Sequence, residues 1–311
     1  MGSPARQSAQ PLTATVGPLQ LRTPLIAASG TVGGVWEWAE LADVSRYGAA
    51  VAKSVSPTPW EGRPPPRLAP TEVGMLNGVG IQNPGIEQWT QDMGARISSS
   101  AVPIWGSAVA GDPDGFALVA KGLDSAGVTA VEINLSCPNL EDGEMFSFSA
   151  PRSRQVLESV SAAVGIPVGA KLSPNTPDIA GVATACAEAG ADFLVLTNTA
   201  LGLGVSVDDR KPLLSGGVGG YSGPGLKPIS LRCVYEVSRA LPHVPIVGCG
   251  GVSRGRDVIE YLIAGASAVE AGTIHLAEPR AGARIIREME KEMRRLGVKS
   301  AAQLVGTVEE W

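Results

Sequence analysis

Eight short apolar runs, each followed by a longer and more polar segment, constrain the fold of this 311-residue chain more than any other feature. The runs fall at residues 24–28, 49–53, 102–105, 130–134, 166–171, 192–196, 245–248 and 268–270. Several of the segments between them place apolar residues three or four apart, as in Phe116, Val119 and Leu123, which is the period of a helix with one buried face. Helices are expected over 37–47, 116–126, 152–164, 177–189, 227–241, 255–263 and 280–296. Strands alternating with helices imply a parallel sheet. Eight repeats in roughly 250 residues match a closed (β/α)8 barrel. A doubly wound open sheet would use fewer strands and open with a GxGxxG turn. The first turn here, Ser29-Gly30-Thr31-Val32-Gly33-Gly34, lacks that pattern. The fold class is α/β, a TIM barrel, read as one domain over 12–311 behind a loose tail at 1–11.

Two segments are too long for ordinary connections. The first, 57–85, is rich in Pro and Gly and contains Asn77-Gly78-Val79-Gly80-Ile81-Gln82-Asn83. No shift in composition follows it, so it reads as a loop over the site rather than a domain boundary. The second, 198–225, carries many glycines and the charged run Asp208-Asp209-Arg210-Lys211. A net charge of −5 gives no reason to expect nucleic acid or an acidic membrane as partner. The four cysteines stand in neither CxxC nor zinc spacing and fit reduced thiols in a cytoplasmic protein. No paired-Cys, HExxH or clustered-carboxylate motif suggests a metal, and no apolar run reaches membrane-spanning length.

In such a barrel the site lies at the C-terminal ends of the strands. Those ends carry Ser29, Lys53, Asn134, Lys171, Thr197-Asn198-Thr199, Gly250-Gly251 and Gly272-Thr273. A lysine ending an apolar strand is costly to bury without a partner, so Lys53 and Lys171 are expected to face anionic ligand groups. The glycines after the seventh and eighth strands suit a phosphate held by main-chain N–H groups, and Tyr221-Ser222-Gly223-Pro224-Gly225 adds a third approach. Asn134-Leu135-Ser136-Cys137-Pro138-Asn139 brings a thiol flanked by amides to the mouth of the fourth strand. Amides donate and accept at once, which suits a flat heterocycle; Asn77 and Asn83 add further pairs. Cys137 also fits a small buried hydrophobe, and the asparagines turn formers. Neither histidine reads as catalytic, and His243 and His275 are both expected at the surface.

With these residues assembled, the chain resembles the class 1 dihydroorotate dehydrogenases. The likeness runs from about residue 16 onward, through Ala28-Ser29-Gly30-Thr31, Ala52-Lys53-Ser54, Gly62-Arg63-Pro64-Pro65-Pro66-Arg67, 77–85 and 134–139. It continues through Ala170-Lys171-Leu172-Ser173-Pro174-Asn175, Asn198-Thr199, Ser222-Gly223-Pro224, Gly250-Gly251 and Gly272-Thr273. Cys137 marks class 1, because class 2 enzymes use a serine as base.

The resemblance implies oxidation of dihydroorotate to orotate in pyrimidine biosynthesis, with FMN on the barrel mouth. Ser29, Lys53, Ser54, Asn134, Lys171, Thr197, Gly223, Gly250, Gly251, Gly272 and Thr273 would contact FMN. Lys53, Asn77, Gly78, Val79, Gly80, Ile81, Asn134, Asn139, Asn198 and Thr199 would hold the pyrimidine. Cys137 would take the C5 proton while the C6 hydride passes to the flavin, with Lys53 and Lys171 assisting. The form of 77–83 is closer to the 1B type, whose catalytic subunit passes electrons to NAD through a partner carrying FAD and a [2Fe-2S] cluster, than to the fumarate-using 1A homodimers. A homodimer is expected. Two neighbouring readings are a flavin oxidoreductase of another dihydropyrimidine and a non-catalytic FMN-binding barrel. Two departures stand out: the acidic Glu141-Asp142-Gly143-Glu144 after Asn139, and Ala108 where the family often has Asn before Val-Ala-Gly.

Overall fold

The computed structural model describes residues 12–136 and 145–311. Eight parallel strands close into a barrel: β1 (Leu25–Ala27), β2 (Ala49–Val51), β3 (Ile104–Ala108), β4 (Ala130–Asn134), β5 (Val168–Leu172), β6 (Phe193–Leu196), β7 (Ile246–Cys249) and β8 (Ala268–Ala271). They pair in sequence order, and β8 closes on β1 through Ala271 opposite Ala27. Every apolar run in the sequence became a barrel strand.

Outside the strands lie α1 (Ile86–Ile97), α2 (Pro113–Ser125), α3 (Ala150–Ser161), α4 (Ile179–Glu188), α5 (Lys227–Ala240), α6 (Gly255–Ala264) and α7 (Ala281–Leu296). Asp112 and Asp178 cap α2 and α4 by accepting from the N–H groups of Gly115 and Gly181, both at 2.8 Å. Each bond satisfies a donor that the first helical turn leaves unpaired. α7 buries Ile285, Ile286, Met289 and Met293 and turns its charged residues outward.

Three features differ from the sequence reading. The helix expected over 37–47 is split into Trp36–Ala39 and a 3-10 turn at Val44–Arg46. Asp43 explains the break: its carboxylate takes the N–H and hydroxyl of Ser45, offering the backbone an alternative to helix. α1 was not anticipated, although its buried Ile86, Trp89, Met93 and Ile97 have helical spacing. It directly follows the Pro/Gly-rich insertion, which hid its start. His275 is buried rather than at the surface, against Tyr47 and Trp38. His243 is exposed, as expected.

Inside the barrel, Trp105 of β3 and Phe193 of β6 meet with ring centroids 5.0 Å apart. Gly169 makes room for this layer, since a Cβ there would meet the Phe193 ring at 2.2 Å. A hairpin, Ala14–Val16 with Leu19–Leu21, packs Ala14, Val16 and Leu21 into the same cluster. This apolar plug leaves the C-terminal half of the interior for polar groups.

The two long insertions are joined. The hairpin Leu68–Thr71 and Gly74–Asn77 pairs with Gly219–Ser222, which pairs in turn with Ala200–Gly202, giving one four-stranded sheet. A small core of Ala69, Leu76 and Leu214 supports it. The first insertion is therefore a loop that carries its own hairpin. Asn83 latches it: its buried amide bonds the N–H and hydroxyl of Ser56, the N–H of Gly85 and the carbonyl of Ile81. It is engaged within the chain, not offered to a ligand. Among the described residues, no helix is long and apolar enough to cross a membrane.

Candidate active site

The strand ends and the four-stranded sheet enclose a cavity of about 780 Å³, in the size range of small-molecule and cofactor sites. Ser29, Lys53, Ser54, Asn77, Gly78, Val79, Gly80, Ile81, Asn134, Lys171, Thr197, Asn198, Thr199, Gly223, Gly250, Gly251, Gly272 and Thr273 all line it. Cys137 and Asn139 lie outside the described residues, as does the acidic run 141–144. Ser136, next to the cysteine, lines the cavity.

One wall is a fixed array of amides. Ser136 Oγ donates to Asn134 Oδ1 at 2.9 Å and accepts from Asn198 Nδ2 at 2.7 Å. The Ser136 N–H also reaches Asn134 Oδ1, at 3.3 Å. Asn198 Oδ1 takes the N–H of Thr199 at 2.8 Å. With its oxygen so occupied, Asn134 presents its NH2 side, where the nearest partner is Ser54 Oγ at 3.5 Å. Asn77 arrives from the cover sheet, anchored by a bond from Nδ2 to the carbonyl of Gly220 at 3.1 Å. Ser107, just before Ala108, shares a hydrogen bond with Ser54 at 2.9 Å, so a hydroxyl pair supports this wall from strand β3.

The opposite wall is main chain. Among the described residues, none accepts a hydrogen bond from the N–H groups of Gly251, Gly272 or Thr273. Successive unpaired N–H groups at a turn form an anion cradle. Gly251 has φ 69°, and a Cβ there would meet the Lys227 nitrogen at 2.7 Å and the Gly223 carbonyl oxygen at 2.9 Å. Only glycine fits that turn. Tyr261 steadies it by donating to the Gly250 carbonyl at 2.7 Å. Lys227 is engaged elsewhere, with Asp257 and Glu260 at 2.8 and 2.7 Å. A phosphate-bearing cofactor such as FMN fits this cradle by the chemistry of its donors.

The floor holds the largest departure. Lys171 was expected to face an anionic ligand group. Lys171 lines the cavity, as does Glu132, but its ammonium is met by two carboxylates of its own chain, Glu270 Oε2 at 2.8 Å and Glu132 Oε1 at 3.3 Å. All three side chains are buried. Burial pulls the Lys171 pKa down, but the charges of Glu132 and Glu270 outweigh it and hold the ammonium charged. Burial, and then the charge of Glu270, pushes the Glu132 carboxyl well above the usual carboxylate range. Cys249 borders the same cluster, and burial pushes its thiol up, so it stays protonated. The sequence reading missed both glutamates. The signal was there: each is a charge inside an otherwise apolar strand, the reasoning that singled out the lysines.

A polar mouth over an apolar plug, with a main-chain anion cradle on one side, is the construction of a (β/α)8-barrel enzyme. The chain belongs to the dihydroorotate dehydrogenase family, whose model matches residues 11–293. Among similar proteins is the dihydroorotate dehydrogenase B (NAD(+)) catalytic subunit of Pelobacter propionicus, 40% identical over 96% of this chain and 98% of that one. The subunits of the same name from Geobacter sp. strain M21 and Listeria innocua are 37% and 38% identical. They cover 96% and 92% of this chain and 98% and 94% of their own lengths. The motif resemblance thus holds for the family, and these relatives are of the B type.

Proposed function

We propose that this chain is the catalytic subunit of a B-type dihydroorotate dehydrogenase, oxidising dihydroorotate to orotate in pyrimidine biosynthesis with FMN at the barrel mouth. The observation that carries this reading is the convergence, in one cavity, of an amide wall, two lysines and an unpaired N–H cradle. Bound FMN would supply the hydride acceptor. The N–H groups of Gly251, Gly272 and Thr273 would hold its phosphate, with Gly223 and Gly250 shaping the approach. Ser29, Ser54 and Thr197 would line the cofactor. Asn77, Asn134, Asn198 and Thr199, with 78–81 from the cover sheet and Asn139, would hold the pyrimidine edges, and Lys53 its carboxylate.

Cys137 is the proposed base for the C5 proton. A free thiol has a pKa near ~8.5, so a neighbouring cation or donor has to stabilise the thiolate near neutral pH. The relatives' names support a second, electron-transferring subunit with NAD as final acceptor. An FAD and [2Fe-2S] partner, a homodimer and a cytoplasmic location belong to the same proposal.

The test is anaerobic addition of dihydroorotate to the purified chain carrying FMN, which should bleach the flavin absorbance. Flavin that is bound yet stays oxidised removes the substrate assignment. Cys137→Ala should retain FMN and lose most of the reduction rate; an unchanged rate removes the cysteine from its role.

A further inference from the structure

The buried cluster at the floor of the cavity contains one cation and two carboxyl groups, and an unbalanced charge at such low exposure is costly. Glu132 and Lys171 come from the neighbouring strands β4 and β5 and Glu270 from β8 across the barrel, and their heads meet inside it. Phe193 and Trp105 occupy the interior with them. Glu270 Oε2 takes the Lys171 bond, while Glu270 Oε1 is buried and finds no donor among the described residues. Both carboxyl groups crowd the same ammonium: Lys171 Nζ lies 3.3 and 3.4 Å from the two oxygens of Glu132 and 2.8 Å from Glu270 Oε2. A proton carried by Glu132 resolves both problems at once. It gives the orphaned oxygen a donor, and it brings the cluster to one positive and one negative charge.

We propose that Glu132 and Glu270 share a single proton at neutral pH, and that this pair acts as a positioning device that sets the charge Lys171 presents to the cavity. The pair holds the ammonium on the floor of the cavity and cancels its charge there. The remaining titratable neighbour, Cys249, is a neutral thiol and adds no charge. Removing one carboxylate does not expose the lysine, because the other loses the shared proton and takes over the pairing. Removing both does expose it. The two residues are thus interchangeable in charge and not additive.

The first half of the proposal needs no cofactor, and infrared spectroscopy of the purified full chain tests it. Exposed carboxyl groups have lost their protons by pH 7. A protonated-carboxyl carbonyl band that persists at pH 7, and moves on 13C labelling of glutamate, is expected in the wild type. It should vanish in Glu132→Gln and also in Glu270→Gln, where Glu132 ionises. Absence of the band in the wild type overturns the shared proton, and so does a band that survives Glu270→Gln.

The second half rests on the reading that FMN occupies the cavity. Its readout is the reduction potential of bound flavin. The double variant Glu132→Gln/Glu270→Gln should favour the reduced, more negative flavin by more than tenfold, ~30 mV for a two-electron couple. Each single variant should shift it less. No shift in the double variant, or single shifts as large as the double, overturns the charge-setting role. A chain that binds no FMN would sink the cofactor reading and leave the infrared result to stand or fall alone.

Discussion

Acidification should destabilise this protein through a buried histidine just past the main-chain cradle, its backbone N–H bonded to the Gly272 carbonyl at 2.9 Å. His275 is buried beside Tyr47 and Trp38, with its Nε2 2.8 Å from the Tyr47 hydroxyl. Burial pushes the Tyr47 hydroxyl up, so it stays a proton donor and Nε2 accepts. Nδ1 is then the protonated nitrogen, and it is buried without a partner among the described residues. A second proton would put a charge in this pocket, so burial lowers the imidazole pKa from 6.5 to about 4. The native state therefore binds fewer protons than the unfolded chain between those values. The stabilisation is complete above the unfolded pKa and is lost as pH falls from 6.5 towards 4. At about 1.4 kcal/mol per pH unit, the loss across that window is about 3 kcal/mol.

Other groups titrate in the same range, so the measurement is a difference. Urea-unfolding curves of wild type and His275→Gln should be compared from pH 7.5 to 4. Glutamine can still accept from Tyr47 but does not titrate, and its stability should fall less steeply with acid. Stability curves that run parallel across the whole range would refute the assignment.

Three further outcomes follow from the site and its support. Gly251→Ala should weaken FMN binding at least tenfold, read by fluorescence titration, because the added Cβ collides with main-chain atoms of the cradle; unchanged affinity would remove the cradle from its role. Ser136→Ala removes the hydroxyl that links Asn134 and Asn198, and the KM for dihydroorotate should rise roughly tenfold, ~1.4 kcal/mol, with FMN content unchanged and partial recovery in Ser136→Thr. An unaltered KM would show that the amides hold their orientation without it. Phe193→Ala should cost about 3–5 kcal/mol in stability by opening a hole against Trp105, measured by denaturant midpoint; a cost below ~1 kcal/mol would mean the interior collapses to fill it.

The architecture was legible because its signals are local. A strand buried on both faces is mostly apolar, and a helix on the barrel's outside repeats every three to four residues. Eight such strands in order, with helices read between most of them, leave few alternatives to a closed barrel. The site could be placed for the same reason, since in this fold function gathers at strand ends, and each end can be found by reading where an apolar run stops. Gly250-Gly251, Gly272-Thr273, Asn134 and Lys53 were found in that way, and all line one cavity. The short helices near Asp43 and the start of α1 were not found, because a side-chain bond and a preceding Pro/Gly run override periodicity.

Contacts between residues far apart in the chain were decided only in three dimensions. Nothing local joins 68–77 to 200–222, yet their edges pair into one sheet over the mouth. Nothing local brings Glu270 to Lys171 across 99 positions, and so a lysine read as waiting for a ligand proved to have internal partners. His275 looked like a surface residue until packing enclosed it with Tyr47, 228 positions away. Sequence pattern records which face of an element avoids water. Which charge meets which is set by barrel closure, because only closure brings the inward faces of distant strands within hydrogen-bonding distance.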